Sequence, residues 1–285
     1  MPFAQSQGAR IYYEENGSGT PILFVHEFGG DHRSWEGQVR RLGRGWRCIV
    51  WSARGYPPSE APEDEKLYGQ DFLNRDAIAV LDAAGIAKAH IVGLSMGGYT
   101  ALMLAARFPE RVVSCVAAGA GSGALKATRA QFIRDALARA VAFEQTGAID
   151  AEATGLGPTR VQLKNKDPRG WRTFVAHLAE HPAHAAAKTQ RTVQVGRPSL
   201  YNLEGELRRI EAPLLLLVGD EDEPCLDVNL WMKRLLPNAR LAVLPGSGHA
   251  INLEEPELFN DFVERFLVEV ERGSWRPRDP RAVPA

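Results

Sequence analysis

The sequence predicts an α/β fold: a mostly parallel sheet covered by helices on both faces. Three observations predict it. Short, near-continuously apolar runs alternate with helical patterns along the chain. Parallel neighbours need crossovers, and the helical stretches supply them. The long stretch from Ala118 to Pro213 holds helical patterns without a convincing buried strand, so the sheet carries a helical insertion.

Seven strands are expected in order. Arg10–Glu15 comes first and is closed by Asn16-Gly17. Pro21–His26, Arg47–Ser52, Ala89–Leu94, Arg111–Ala118, Pro213–Val218 and Arg240–Leu244 follow. Their apolar character suits strands buried on both faces. Helices are expected at Arg33–Leu42, Gln70–Ala84, Tyr99–Phe108, Leu226–Leu236 and Pro256–Val270. Gly85 stops the second, and Pro109 stops the third.

Within the insertion, Ala124–Gln145 carries Phe132, Ile133, Leu137 and Val141 at helical spacing. Asp167-Pro168 is a helix start, a capping side chain followed by proline in the first turn. Trp171, Phe174, Val175 and Leu178 then recur at i, i+3, i+4 and i+7. The domain reading is a core of residues 1–121 and 210–285 under a helical cap of residues 122–209. The tail from Ser274 to Ala285 is rich in Pro and Arg and is read as irregular.

Composition excludes several classes. The chain has 285 residues, 45% hydrophobic and 24% charged, which argues against disorder and coiled coil. Its net charge of −1 gives no general field for nucleic acid or an anionic membrane. No apolar run approaches the roughly 20 residues that span a bilayer. Met1–Gln5 is not the start of a secretory signal, so the cytoplasm is expected. Cys48, Cys115 and Cys225 form neither a disulfide framework nor a paired zinc motif. The tail leaves room for a homodimer.

The chemistry concentrates at three places. Gly93-Leu94-Ser95-Met96-Gly97 matches G-x-S-x-G, directly after a strand and before a helix. Ser95 would sit on a tight turn, and the helix start behind it favours developing negative charge. A serine needs a base, and His249 in Gly246-Ser247-Gly248-His249 follows the last strand. An acid should orient that imidazole. Gly219-Asp220-Glu221-Asp222-Glu223 offers four carboxylates, with Asp222 the choice and Asp220 the rival that braces the turn. Oxyanion donors would be the Met96 N–H and the Phe28 N–H of the loop His26-Glu27-Phe28-Gly29-Gly30.

With HEFGG at 26–30, RGYPPS at 54–59, GLSMGG at 93–98, VGDEDEP at 218–224 and GSGHAINLEEPELFN at 246–260, the chain resembles the α/β-hydrolase superfamily. The likeness covers nearly its whole length and is greatest to esterases and enol-lactone hydrolases. It implies a Ser95–His249–Asp222 triad, a cap between the sixth and seventh strands in the family's usual order, and no metal or organic cofactor. One position departs from the pattern: the family's oxyanion loop usually begins His-Gly, and Glu27 stands where the glycine would be.

The expected activity is cleavage of a small carboxylic ester through an acyl-enzyme, with lactone, thioester and amide substrates open. Ser95 argues against epoxide hydrolases and dehalogenases, which use a carboxylate nucleophile. Carbon–carbon hydrolases usually show a different elbow and oxyanion loop, and a non-catalytic ligand receptor is the reading from another class. Candidate substrate contacts are Glu27, Trp35, Trp171, His181 and His184. Trp35 stands where the family often carries an aromatic. Trp171 reads more naturally as cap core, and His177-Leu178-Ala179-Glu180-His181 has the H-x-x-E-H pattern of zinc proteases without an evident third ligand.

Overall fold

The computed structural model describes residues 2–282. Eight strands form one sheet: β1 (Phe3–Ser6), β2 (Ala9–Asn16), β3 (Pro21–Val25), β4 (Arg47–Trp51), β5 (Ala89–Leu94), β6 (Val112–Ala118), β7 (Leu214–Gly219) and β8 (Ala239–Leu244). Their spatial order is β1-β2-β4-β3-β5-β6-β7-β8. β1 and β2 pair antiparallel, as do β2 and β4. Every pairing from β4 through β8 is parallel. The sequence reading lacks β1. That strand is four residues long, lies at the edge and alternates in burial, so it has no apolar run to reveal it.

Period-two alternation divides the sheet's side chains between two cores. Leu23, Val25 and Ile91 face α2 (Gln70–Ala83), α3 (Met96–Arg107) and α10 (Glu223–Leu235). Ile22, Phe24, Val92 and Leu94 face α1 (Glu36–Leu42) and α12 (Pro256–Glu271). Both faces are therefore covered, which is why the strands read as continuous apolar runs. No helix among the described residues is long and apolar enough to cross a membrane.

Between β6 and β7 lie α4 (Lys126–Thr146), α5 (Ala151–Gly155), α6 (Val161–Lys166), α7 (Pro168–Ala179) and α8 (Ala183–Thr189), with a third apolar cluster of their own. At the start of α7, Asp167 accepts from the N–H groups of Arg169 and Gly170 at 3.1 and 2.9 Å. Trp171, Phe174 and Leu178 are buried on that helix, following its apolar period. Helix α4 falls on the expected span. It buries Ala136, Ala140 and Phe143, while Leu137 and Val141 are 39% and 49% exposed. The small alanines let α8 approach closely, so the larger residues fall on the outer face. Leu200, Leu203 and Leu207 pack with the main core.

After α12, Trp275 packs on Phe266 with ring centroids 4.6 Å apart, and its Nε1 donates to the Asn238 carbonyl. The irregular tail thus lies on its own domain through Asp279, with a short turn at Pro280–Ala282. Residues 283–285 fall outside the described residues.

One buried ion pair ties the loop after β4 to α2. Arg54 grips Asp76 with Nε and Nη2 at 2.7 and 2.5 Å, and both side chains are almost fully buried. Removing one partner leaves an uncompensated charge, which costs about 3–5 kcal/mol. Asp76→Asn should therefore lower unfolding stability by about that amount in a urea titration. A loss under about 1 kcal/mol would show that the pair contributes little.

Candidate active site

Ser95 occupies the junction of β5 and α3 with φ +57° and ψ −110°. A non-glycine residue held there costs about 1–3 kcal/mol and persists only where its surroundings over-determine it. Here the surroundings are backbone. A Cβ on Gly97 would run into the Val25 carbonyl of β3, and one on Gly93 into the Gly97 carbonyl. The Ser95 N–H is anchored to the Ala118 carbonyl at 2.7 Å. The side chain is thereby lifted above the C-terminal edge of the sheet, where α/β folds bind ligands.

Ser95 Oγ lies 2.7 Å from His249 Nε2, and His249 Nδ1 lies 2.7 Å from Asp222 Oδ2. A carboxylate only accepts, so Nδ1 carries the proton and Nε2 is left to accept from the Ser95 hydroxyl. Burial opposes the charged imidazole, but Asp222 outweighs it and raises the His249 pKa above its ordinary value. Asp220, the rival acid, points elsewhere: its Oδ1 accepts from the Ser247 N–H at 2.9 Å and braces the turn before His249.

Two further groups hold His249, and neither was singled out from the sequence. Glu254, on the short helix α11 (Ile251–Glu254), accepts from the N–H groups of Gly248 and Ala250 at 2.6 and 3.0 Å, clamping both sides of the histidine. The His249 N–H itself donates to the Thr159 carbonyl at 2.6 Å. Thr159 belongs to the insertion, so the cap touches the histidine's own backbone.

The oxyanion loop leaves β3 at His26. The Ala53 N–H donates to His26 Nε2 at 3.0 Å, so Nδ1 carries the proton and donates to the Glu27 carbonyl at 2.7 Å. Burial lowers the His26 pKa to about 4, which keeps the ring a neutral strut. Glu27 is buried and accepts both Nη1, at 2.7 Å, and Nη2 of Arg160. Burial alone would raise the Glu27 pKa, but the Arg160 charge outweighs it and holds the carboxyl below its ordinary value. Glu27 is thus a tie between loop and cap. Among the described residues no protein group accepts from the Phe28 N–H or the Met96 N–H. Both donors are free, one on the loop after β3 and one at the start of α3.

Ser95 and His249 open into a cleft of about 450 Å³ under the cap, with Phe28 and Phe143 on its wall. The Phe28 and Phe143 rings are near-parallel with centroids 6.5 Å apart. The other sequence candidates lie away from this cleft. Trp35 ends a short turn that swings it beneath the sheet, packed between Phe24 and Phe259. Trp171 is cap core and donates Nε1–H to the Gly155 carbonyl at 3.0 Å. His181 turns to Asp31 at 3.4 Å, and Glu180 pairs with Arg33. His184 is exposed beside Glu63. The cleft is instead lined by Arg139, Arg160, Gln190 and Gln194 of the insertion, which no sequence signal marked.

A second hollow of about 580 Å³ lies by Glu14, His32 and His177. It includes Cys48, whose thiol burial pushes up to about 12, so it presents no nucleophile. Of the buried contacts around Ser95, the Glu254 clamp is the most readily tested. Glu254→Gln keeps the volume but only one acceptor oxygen, leaving one loop N–H without its partner. It should lower kcat by about tenfold, the effect of roughly one lost hydrogen bond to a charged group, with far-UV circular dichroism unchanged. An unchanged kcat would show that the clamp does not position His249.

The family model described as the alpha/beta hydrolase fold matches residues 20–256. A 3-oxoadipate enol-lactonase of Acinetobacter baylyi is 28% identical over 93% of this chain and 96% of its own length. A 2-hydroxymuconate semialdehyde hydrolase of Pseudomonas putida is 30% identical over 93% of this chain and 92% of its own. The crystal structure of a hydrolase from Pseudomonas aeruginosa superposes with a TM-score of 0.81 at 28% identity, covering 93% of this chain and 97% of that one. With its elbow, its sheet order and these relatives in agreement, the chain belongs to the alpha/beta hydrolase fold family.

Proposed function

We propose that the protein is a serine hydrolase of small carboxylic esters, acting through an acyl-enzyme. The observation that carries this reading is the line of hydrogen bonds from Ser95 through His249 to Asp222, with the free Phe28 and Met96 N–H groups beside it. His249 Nε2 takes the Ser95 proton as Oγ attacks the carbonyl. The imidazolium that forms is stabilised by Asp222. The two N–H groups hold the oxyanion, helped by the start of α3. His249 then gives its proton to the leaving alcohol, the bond to Ser95 remains as an ester, and a water deprotonated by His249 releases the acid.

A cyclic ester is the second reading. The likeness to an enol-lactonase supports it, and the same steps open a ring without losing the alcohol portion. A cleft of about 450 Å³ suits a small molecule in either form.

The test is turnover of short p-nitrophenyl esters together with fluorophosphonate labelling. Wild type should show a burst of nitrophenol and a covalent label, both absent in Ser95→Ala. Asp222→Asn should lower kcat by about 10⁴, because the imidazole loses the partner that sets its tautomer. No turnover and no label in folded wild type would overturn the proposal.

The pH dependence has a defined sign. Only neutral His249 can act as base, and its raised pKa keeps it protonated to higher pH than an ordinary histidine. The acid limb of kcat/KM should therefore have its midpoint above about 6.5. A midpoint well below that value would contradict the Asp222 pairing.

A further inference from the structure

We propose that the cap side of this cleft is a carboxylate-binding subsite formed by Arg139, Gln190 and Gln194, and that the ester cleaved at Ser95 carries a carboxylate at its far end. The inference rests on the ester reading above for its chemistry, but the subsite stands on its own residues.

Two arginines line the cleft, and they are in opposite states. Arg160 is committed to Glu27 through two nitrogens. Arg139, on α4, makes no ion pair and no hydrogen bond among the described residues. The acids near it are engaged otherwise. Asp135, one turn earlier, accepts from Gln131 Nε2 at 2.6 Å. Asp150, also on the cleft wall, caps α5 by accepting from the Ala153 N–H at 3.0 Å. Arg139 is therefore the cleft's cation outside an ion pair, while Asp150 on the same wall is turned to the start of α5.

The two glutamines add neutral groups without partners. Gln190 is only 2% exposed, its Oε1 has no partner, and its amide nitrogen makes no protein hydrogen bond. Gln194 is 7% exposed, and among the described residues its side chain likewise makes no hydrogen bond. The Gln190 Oε1 is a buried acceptor left unpaired, and such a group in a cleft points to a ligand that completes it. Both lie on a widened turn at Gln190–Val195, where the Gly196 N–H reaches back five residues to the Arg191 carbonyl at 3.1 Å. Wide turns of this kind recur at functional sites.

The chemistry of the set selects the ligand. A guanidinium and amide N–H groups match the oxygens of a carboxylate, and the orphan Gln190 oxygen takes a proton from a hydroxyl or a water. Between this set and Ser95 the wall is apolar at Phe28 and Phe143. A short hydrocarbon spacer between ester and carboxylate fits that order.

The experiment compares monomethyl adipate with methyl hexanoate, which share the ester and the chain length and differ at the far end. Wild type should prefer the adipate ester in kcat/KM by at least about tenfold, the effect of one charge-assisted pair. The preference should shrink with added sodium chloride, since Arg139 is exposed at the rim. Arg139→Gln should bring the ratio near one, and Arg139→Lys should restore part of it. Equal turnover of the two esters by wild type, or a ratio unmoved in Arg139→Gln, overturns the subsite while leaving the ester chemistry standing. Calorimetry of adipate on Ser95→Ala reads the subsite without turnover. Binding that disappears when Arg139→Gln is added supports it even if the ester reading fails, and no binding to Ser95→Ala overturns it.

Discussion

The site depends on one close approach of backbone to backbone. The turn at Ser95 presses Gly97 against the end of β3, leaving no room for a Cβ beside the Val25 carbonyl. That contact requires β3 and β5 to be parallel neighbours, which the register Val25↔Gly93 provides. It also brings the loop leaving β3 against the start of α3. A larger residue at position 97 would push β3 away. The positive φ of Ser95 is held in the same way, by the packed strands on either side rather than by any preference of serine.

Around this backbone frame, three buried acids near the site each have a partner. Asp222 faces His249, Glu27 faces Arg160, and Glu254 faces two loop N–H groups. Burial would otherwise make each of them costly. Glu27 is the informative case. Where relatives of this family usually carry glycine, the chain places an acid and supplies its counter-charge from the insertion. Together with the Thr159 carbonyl on the His249 N–H, this fastens one segment of the cap to both halves of the reaction centre. The insertion is then tied to the loop after β3 and to His249, as well as forming a wall of the cleft.

Much of this was legible in one dimension. The parallel sheet, the serine elbow and the order Ser95, Asp222, His249 follow from apolar runs, glycine spacing and residue order. The start of α7 was legible because Asp167 and Pro168 act on their own first turn. What the sequence did not disclose was burial set by a distant element. Helix α4 hides alanines rather than Leu137 and Val141, because α8 demands close approach there. Trp35 follows the oxyanion loop in sequence, yet a single short turn carries it to the opposite face of the sheet.

By itself, then, the sequence determined the architecture and marked Ser95 and His249 as candidates, because those readings rest on periodic burial and on motifs of residues close along the chain. Tertiary structure alone decided which of two carboxylates, two residues apart, faces the histidine and which braces a turn. It also decided that Glu27 is neutralised by Arg160, 133 positions away, while Arg139 in the same cleft is left without a counter-charge. Those outcomes depend on distance in space, since a charge is paired or free according to what lies within a few ångströms, and neighbours along the chain do not reveal that.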